Sequence, residues 1–135
     1  MKQTYYCQKA LNRARDLAES MRHEYITPEH ILVGILVQQG FMMALDDVGA
    51  DPEELSAALY DYLDHKMEQV PEDVSYELEV SVQTTQLIQM ACLMAEHADK
   101  DTMDVPHLVQ GIMALEDSQA NYLLLRCINC LLLHI

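Results

Sequence analysis

Residues that form turns are scarce in this sequence. Its 135 residues include only four glycines and four prolines, fewer than a turn-rich all-β domain needs. No apolar run approaches ~18 residues, the length that indicates a membrane-spanning helix. The opening MKQTYYCQKA has neither the apolar core nor the cleavage site of an export signal. We therefore expect one domain, residues 1–135, with no membrane partner and a cytoplasmic location.

Cysteines are also few, and their use bears on cofactors. Four cysteines without an export signal indicate reduced thiols and not a disulfide framework. Cys127 and Cys130, with His134, have metal-like spacing, but a structural zinc site needs four ligands, and no second C-x-x-C is present. We expect no metal and no other cofactor. A metal-binding helical protein that uses His23, His30 and the cysteines is kept as an alternative function.

Positive charge is scarce and unevenly placed. Eight Lys and Arg residues face 22 Asp and Glu residues, for a net charge of −14. Residues 1–22 carry a net charge of +3, and residues 23–135 carry −17. An acidic surface repels phosphate backbones, which argues against nucleic acid as a partner and favours basic or amine-bearing proteins. The alternative is that the acidity only keeps the domain in solution.

Helix-forming residues dominate what is present, with Ala, Leu, Met, Gln and Glu abundant. The predicted class is all-α. Apolar residues recur at helical spacing, and caps such as Thr27 before Pro28 and Asp51 before Pro52 indicate helix starts. The eight predicted helices cover about residues 4–21, 28–40, 41–48, 51–67, 82–98, 104–115, 118–127 and 129–134. The acidic stretch of about 68–80 has no helical pattern and is interpreted as a linker.

The chain repeats itself at an offset of 77 residues. YITPEHILVGIL at 25–36 is followed by TMDVPHLVQGIM at 102–113. Six of 23 positions are identical between 14–36 and 91–113: Ala14 and Ala91, Ala18 and Ala95, Glu19 and Glu96, His30 and His107, Gly34 and Gly111, Ile35 and Ile112. The pattern predicts two four-helix repeats, about 4–67 and about 81–134, with approximate twofold symmetry around a shared core. Gly34 and Gly111 lie mid-helix, where close helix packing explains them.

Two such repeats resemble the amino-terminal domain of the Clp/Hsp100 unfoldases over about residues 4–129. RHEYITPEHIL at 22–32 and EDSQANYLL at 116–124 look most similar to the ClpA branch. The resemblance implies a monomeric docking domain for ClpS-like adaptors and protein substrates, attached to an AAA+ ring that works with the ClpP peptidase. The chain has no G-x-x-x-x-G-K-[ST], so we predict that it is not an enzyme. Whether it is an excised domain or a stand-alone adaptor or regulator is left open.

The resemblance also implies where partners bind. His23, Glu24 and Glu29 flank the junction of the first two helices, where Glu24 and Glu29 match acidic adaptor-binding positions. Ser81 and Gln86 match a second adaptor-binding stretch. Exposed carboxylates near a helix start would also suit basic side chains. The alternative for Glu29 is that it only complements the helix dipole.

Three further features of the sequence bear on ligand binding. Pro106 replaces Glu29 in the second copy, so the paired phosphoarginine sites of ClpC-like relatives are not expected. His30 and His107 are equivalent by repeat, so no metal is needed to explain the pair; each ring is predicted to pack at its helix junction and hydrogen-bond the backbone. The nine methionines, Met43 among them, are predicted to be mostly core, with a few in an adaptable peptide groove as the alternative.

Overall fold

The computed structural model describes residues 1–129, and its helices confirm the all-α class. The helices are α1 (Tyr5–Ser20), α2 (Pro28–Leu36), α3 (Gln39–Asp47), α4 (Pro52–His65), α5 (Val82–His97), α6 (Val105–Ala114) and α7 (Gln119–Asn129). The described residues thus contain seven helices where the sequence predicts eight. The eighth, at about 129–134, falls outside them except for Asn129, which ends α7. No helix of residues 1–129 is long and apolar enough to cross a membrane.

Four two-residue strands, absent from the predictions, connect the two halves of the chain. They are β1 (Lys2–Gln3), β2 (Tyr25–Ile26), β3 (Glu79–Val80) and β4 (Thr102–Met103). β1 pairs in parallel with β4, and β2 pairs in parallel with β3. Each pair therefore joins the strand before one half's first helix to the strand before the other half's second helix. Strands this short show no alternation of apolar and polar residues from which sequence could predict them.

The structure keeps the 77-residue offset down to single backbone angles. α5 has the bounds of α1 moved by 77 residues. Arg22 and Asp99 are also 77 residues apart, and both lie in the left-handed region, with φ of 55° and 57°. In each case the next residue, His23 or Lys100, donates its N–H to a carbonyl five residues earlier, at 2.9 Å. These are Schellman turns, and in both halves they direct the backbone from the first helix to the second in the same way.

Close packing of the first helix on the second is what the two mid-helix glycines permit. A Cβ at Gly34 would overlap the carbonyl oxygen of Ala10. One at Gly111 would lie 2.9 Å from the carbonyl oxygen of Leu87, which is the residue equivalent to Ala10. The predicted close packing at both glycines is confirmed. It places α2 on α1 and α6 on α5 with backbone in contact.

α4 and α7 complete the core. Leu55, Leu59 and Leu63 of α4 are buried, and α7 packs against α4, α2 and α6. One predicted helix end needs correction. α2 ends at Leu36 and not near Gly40, which lies inside α3. The chain bends there because the N–H groups of residues 37 and 38 close tight turns on the last carbonyls of α2.

Candidate functional site

The junction of α1 and α2 lies mostly inside the protein. His23 is 0% exposed and Glu29 is 3% exposed. The expectation that this junction presents Glu29 as an exposed carboxylate is therefore wrong. The Schellman turn directs His23 inward, and Glu29 faces α7. Of the three residues predicted here, Glu24 is the exposed one.

Two buried imidazoles connect α1, α2 and α4. The N–H of Thr27 donates to Nδ1 of His30 at 2.9 Å, so a neutral His30 carries its proton on Nε2. That nitrogen lies 2.8 Å from Nδ1 of His23, and Nε2 of His23 lies 3.0 Å from the carbonyl oxygen of Leu63. Since a carbonyl only accepts, the bonds form one directed chain from Thr27 through both rings to Leu63.

This chain of bonds disfavours a positive charge on either ring. A second proton on His30 would face the N–H of Thr27, and one on Nδ1 of His23 would face the N–H of His30. Burial, with His23 as a second cause, lowers the pKa of His30 to about 3, and burial lowers the pKa of His23. The predicted contact between each repeated histidine and its junction backbone is confirmed, since His107 accepts the N–H of Asp104 at 2.9 Å. The His23–His30 pair thus has a structural role.

Glu29 also has an internal partner. Its Oε2 accepts the N–H of Ala120 at 2.8 Å. Ala120 is the second residue of α7, where backbone N–H groups lack acceptors within their own helix. Burial raises the pKa of Glu29, and its hydrogen bonds, that from Ala120 first, oppose the rise. Glu29 therefore ties α2 of the first half to α7 of the second.

The exposed part of the predicted binding region lies around β2 and β3. The N–H of Glu79 in β3 donates to the carbonyl of Glu24, the residue before β2, at 3.1 Å, and both carboxylate residues are exposed. Ser81, half-buried, caps α5 by accepting the N–H of Thr84 on Oγ at 3.1 Å. Gln86 is exposed on α5. We call Glu24, Glu79, Ser81 and Gln86 the junction face.

A second surface is a groove of about 920 Å³, which was predicted only as an alternative place for a few methionines. It lies between the first half of α1, the α2–α3 turn and the start of α6. Its apolar lining consists of Tyr6, Val37, Phe41, Met43, Val105 and Val109. Tyr6, Val37 and Met43 are each at least half exposed. We call this surface the open groove.

Charged side chains also line the open groove. Lys9 and Arg13 contribute from α1, one turn apart, and Asp104 is the acidic residue among the lining side chains. Asp104 is already bonded: its Oδ1 accepts the Thr4 hydroxyl at 2.6 Å and the N–H of Val105 at 2.8 Å. The ammonium group of Lys9 lies over the ring of a tyrosine at 5.3 Å. With two cations and one carboxylate, the lining of the open groove has a net positive charge.

The symmetry-equivalent place, formed by α5, the α6–α7 turn and α2, is closed. Gln110 of the open groove is exposed, whereas its equivalent, Val33, is buried. Met43 is 56% exposed, whereas its equivalent, Ala120, is 0% exposed. α7 packs against α2 here, and in the described part of the chain α3 makes no comparable packing against α6.

One substitution within the repeat coincides with this difference. Glu29 accepts a hydrogen bond from the start of α7 in the closed copy, and its equivalent is Pro106, which has no polar side-chain atom. Pro106 therefore offers α3 no equivalent of that bond. Sequence reasoning noted Pro106 but did not connect it with a groove.

Within residues 1–129 no group of three or more His, Cys, Asp or Glu side chains could hold a metal ion. The ring nitrogens of His23 and His30 are all engaged in hydrogen bonds. Cys7 is buried, and burial raises the pKa of its thiol to about 11. Cys130 and His134 of the C-x-x-C candidate lie outside the described residues.

Comparisons with known proteins agree with this architecture. The family model of the Clp repeat (R) N-terminal domain matches residues 2–127. The Hsp104 N-terminal domain from Candida albicans is similar, with 18% identity, a TM-score of 0.77, and cover of 90% of this chain and 78% of that one. The N-terminal domain of ClpV1 ATPase from E. coli is 21% identical, with a TM-score of 0.70, and cover of 93% and 83%. That of ClpD from Arabidopsis thaliana is 15% identical, with a TM-score of 0.67, and cover of 96% and 92%.

Proposed function

The chain belongs to the Clp repeat N-terminal domain family, and we propose that it is a docking domain that binds other proteins and performs no chemistry itself. The observation that carries this proposal is the open groove, where aromatic and aliphatic side chains lie exposed together in an otherwise acidic protein. Exposed apolar patches of this kind mark sites of protein interaction. A groove between helices suits an apolar segment of a substrate protein.

The junction face is proposed as the place where a ClpS-like adaptor binds. Glu24 and Glu79, joined by a backbone hydrogen bond, offer two carboxylates, and Gln86 offers an exposed amide on α5. Such a face suits basic side chains or an amine, and charge attraction across it would accelerate association. His23 and Glu29 leave the proposed contact set because they are buried. Ser81 stays in the proposed contact set, although its Oγ already accepts the N–H that caps α5.

Tethered delivery is the proposed mechanism. An adaptor or substrate held at this domain would be concentrated above an AAA+ ring, so modest affinity at the domain suffices for capture. The ring, the ClpP peptidase, the kinship with ClpA and the cytoplasmic location belong to this proposal. A stand-alone domain would use the same two surfaces and would compete with the unfoldase for adaptors.

Titration calorimetry with a ClpS-like adaptor tests the junction face. We expect binding in the micromolar range or tighter for the unmodified domain, and a loss of about tenfold for the Glu24→Lys variant, because the substitution reverses a charge at the interface. Glu96→Lys is the matched control: it makes the same charge change about 15 Å further along α5 than Gln86. Its affinity should match that of the unmodified domain.

The outcomes separate the two surfaces. Binding that Glu24→Lys weakens and Glu96→Lys does not would support adaptor docking at the junction face. Equal weakening by both variants would indicate only a general charge effect. No adaptor binding would remove the ClpS-like proposal and the kinship with ClpA, and would leave the open groove as the docking surface for substrates.

A further inference from the structure

We infer that the open groove accepts an acidic amphipathic segment of a partner protein. Its apolar face would lie against Val37 and Met43, and its carboxylates would lie toward Lys9 and Arg13. This inference rests on the proposed docking function and adds the charge of the docked segment. It is unexpected from the composition, since a net charge of −14 should repel an acidic partner.

The placement of positive charge is the first support. The chain has eight Lys and Arg residues, and two of them line this one groove. Among the described residues, neither Lys9 nor Arg13 lies within ion-pair distance of an acidic side chain, and the ion pair that is present joins His65 to Asp61. Cations beside an apolar surface, without an acidic partner in their own chain, are available to carboxylates of another molecule.

The closed copy supplies the second support. At the positions equivalent to Lys9 and Arg13 it has Gln86 and Met90, which carry no charge. It has its own carboxylate instead, because Glu29 is buried against the start of α7. The closed copy thus contains an acid and no cations, whereas the open copy contains cations and, at Pro106, lacks the acid. A partner's acidic side chains would complete the open copy.

The apolar lining decides the shape of the partner segment. Val37 and Met43 come from the turn and the helix on one side, and Val105 and Val109, one helical turn apart on α6, come from the other. An amphipathic helix presents an apolar stripe that could lie between these two sides while its other face stays charged. Carboxylates at the edge of that stripe would then reach the α1 side.

Three synthetic peptides provide the test. All share one leucine-rich helical stripe and a length of roughly 15 residues, which suffices for a marginally stable helix; their remaining positions carry glutamate, glutamine or lysine. Fluorescence anisotropy of each labelled peptide is measured with four proteins. These are the unmodified domain, the double variant Lys9→Glu, Arg13→Glu, the control double variant Lys66→Glu, Lys100→Glu, and Met43→Glu. The two double variants carry the same net charge, and circular dichroism verifies that each variant is folded.

We expect the glutamate peptide to bind about tenfold tighter than the glutamine peptide, because two exposed charge pairs together supply about that factor. The preference should vanish in the Lys9→Glu, Arg13→Glu variant, persist in the control double variant and fall with added salt. Met43→Glu should weaken all three peptides. Equal binding of the three peptides, or a preference for the lysine peptide, would overturn the inference of an acidic partner. If Met43→Glu still weakened binding in that case, docking in the open groove would stand. Binding that Met43→Glu leaves unchanged would overturn both.

Discussion

The two halves of the molecule begin alike and end differently. In each, a first helix ends in a Schellman turn, at Arg22 or Asp99, and a second helix crosses it at a glycine. At the junction between these two helices the first half buries His23, whose equivalent in the second half is the exposed Lys100. A duplicated backbone has thus kept its crossing geometry while the polar groups at the junction diverged.

The difference shows which part of a repeat is free to change. The crossing depends on backbone contact, so a side chain added there would push the two helices apart. The junction depends on individual hydrogen bonds, each of which can be replaced separately. Glu29, in the first half, uses that freedom to close the space beside α5 and α7. Its equivalent, Pro106, offers no such bond, and the groove beside α1 and α3 is open.

The largest effect is expected from filling the two crossings. Gly34→Ala should lower the free energy of unfolding by about 3 kcal/mol, because its Cβ overlaps backbone that cannot yield. Gly111→Ala should cost about 1 kcal/mol or less, since its Cβ contact is longer and alanine favours the helix. Urea denaturation of both variants measures the difference.

Gly40→Ala is the matched control for this pair. A Cβ at Gly40 meets nothing within 4 Å, and the residue lies inside α3, so alanine should stabilise the protein by up to about 1 kcal/mol. Equal losses at Gly34 and Gly111 would show that the two crossings are equally tight and would remove the asymmetry argued from the distances.

Removing the carboxylate that closes one copy should have the next largest effect. Glu29→Ala should cost about 2 kcal/mol, because it leaves the buried N–H of Ala120 without an acceptor. Pro106→Ala, at the equivalent position, should change the free energy of unfolding by less than about 0.5 kcal/mol. Glu29→Gln retains an acceptor oxygen and should lie between them. A similar loss at both positions would contradict the assignment of Glu29 as the tie between α2 and α7.

Acid should destabilise the protein more gradually, through the histidine pair. The folded-state pKa of His30, about 3, is depressed below the ordinary value of 6.5, so on acidification the unfolded chain takes up this proton first. Stability is complete above pH 6.5 and falls as the pH drops below it, by about 1.4 kcal/mol per pH unit for one such group. The raised pKa of Glu29 acts in the opposite sense, because the folded state binds that proton first. The loss should therefore be steepest before Glu29 titrates.

Urea denaturation of two histidine variants between about pH 7 and pH 5 checks this effect, since the expected slope comes from a group with an ordinary pKa near 6.5. His30→Asn should flatten the slope, whatever its effect on stability at neutral pH. His107→Asn, the equivalent change in the second half, retains the buried pair and should retain the slope. An unchanged slope in His30→Asn would show that the pair does not cause the acid sensitivity.

Sequence sufficed for features with local causes. The helix starts after Thr27 and Asp51 were predicted from caps and prolines, and the Asp51 carboxylate does accept the N–H of Glu53 at 3.0 Å. The close crossings were predicted from Gly34 and Gly111 alone, because a mid-helix glycine needs a packing reason. Helix bounds fell within a few residues of the observed ones except at Gly40.

Sequence did not suffice where a residue's surroundings come from distant parts of the chain. The burial of His23 depends on the Leu63 carbonyl, and that of Glu29 depends on Ala120, 91 residues away. A charged residue beside a helix start is normally exposed, so the prediction of an exposed Glu29 followed the commoner case. Two signals could have pointed to the open groove: Pro106 in place of Glu29, and the cations Lys9 and Arg13, which are uncharged in the second copy.

The pairing of β1 with β4 also bears on how the protein is made. It joins Lys2 to Thr102, so the first strand of the domain has no partner until residue 102 has been translated. At roughly 5–20 residues per second, that interval lasts on the order of 5–20 s. During it, α1 and α2 can pack on each other, but β1 stays unpaired. Completion of this domain is therefore a late event in synthesis, when β1 pairs with β4.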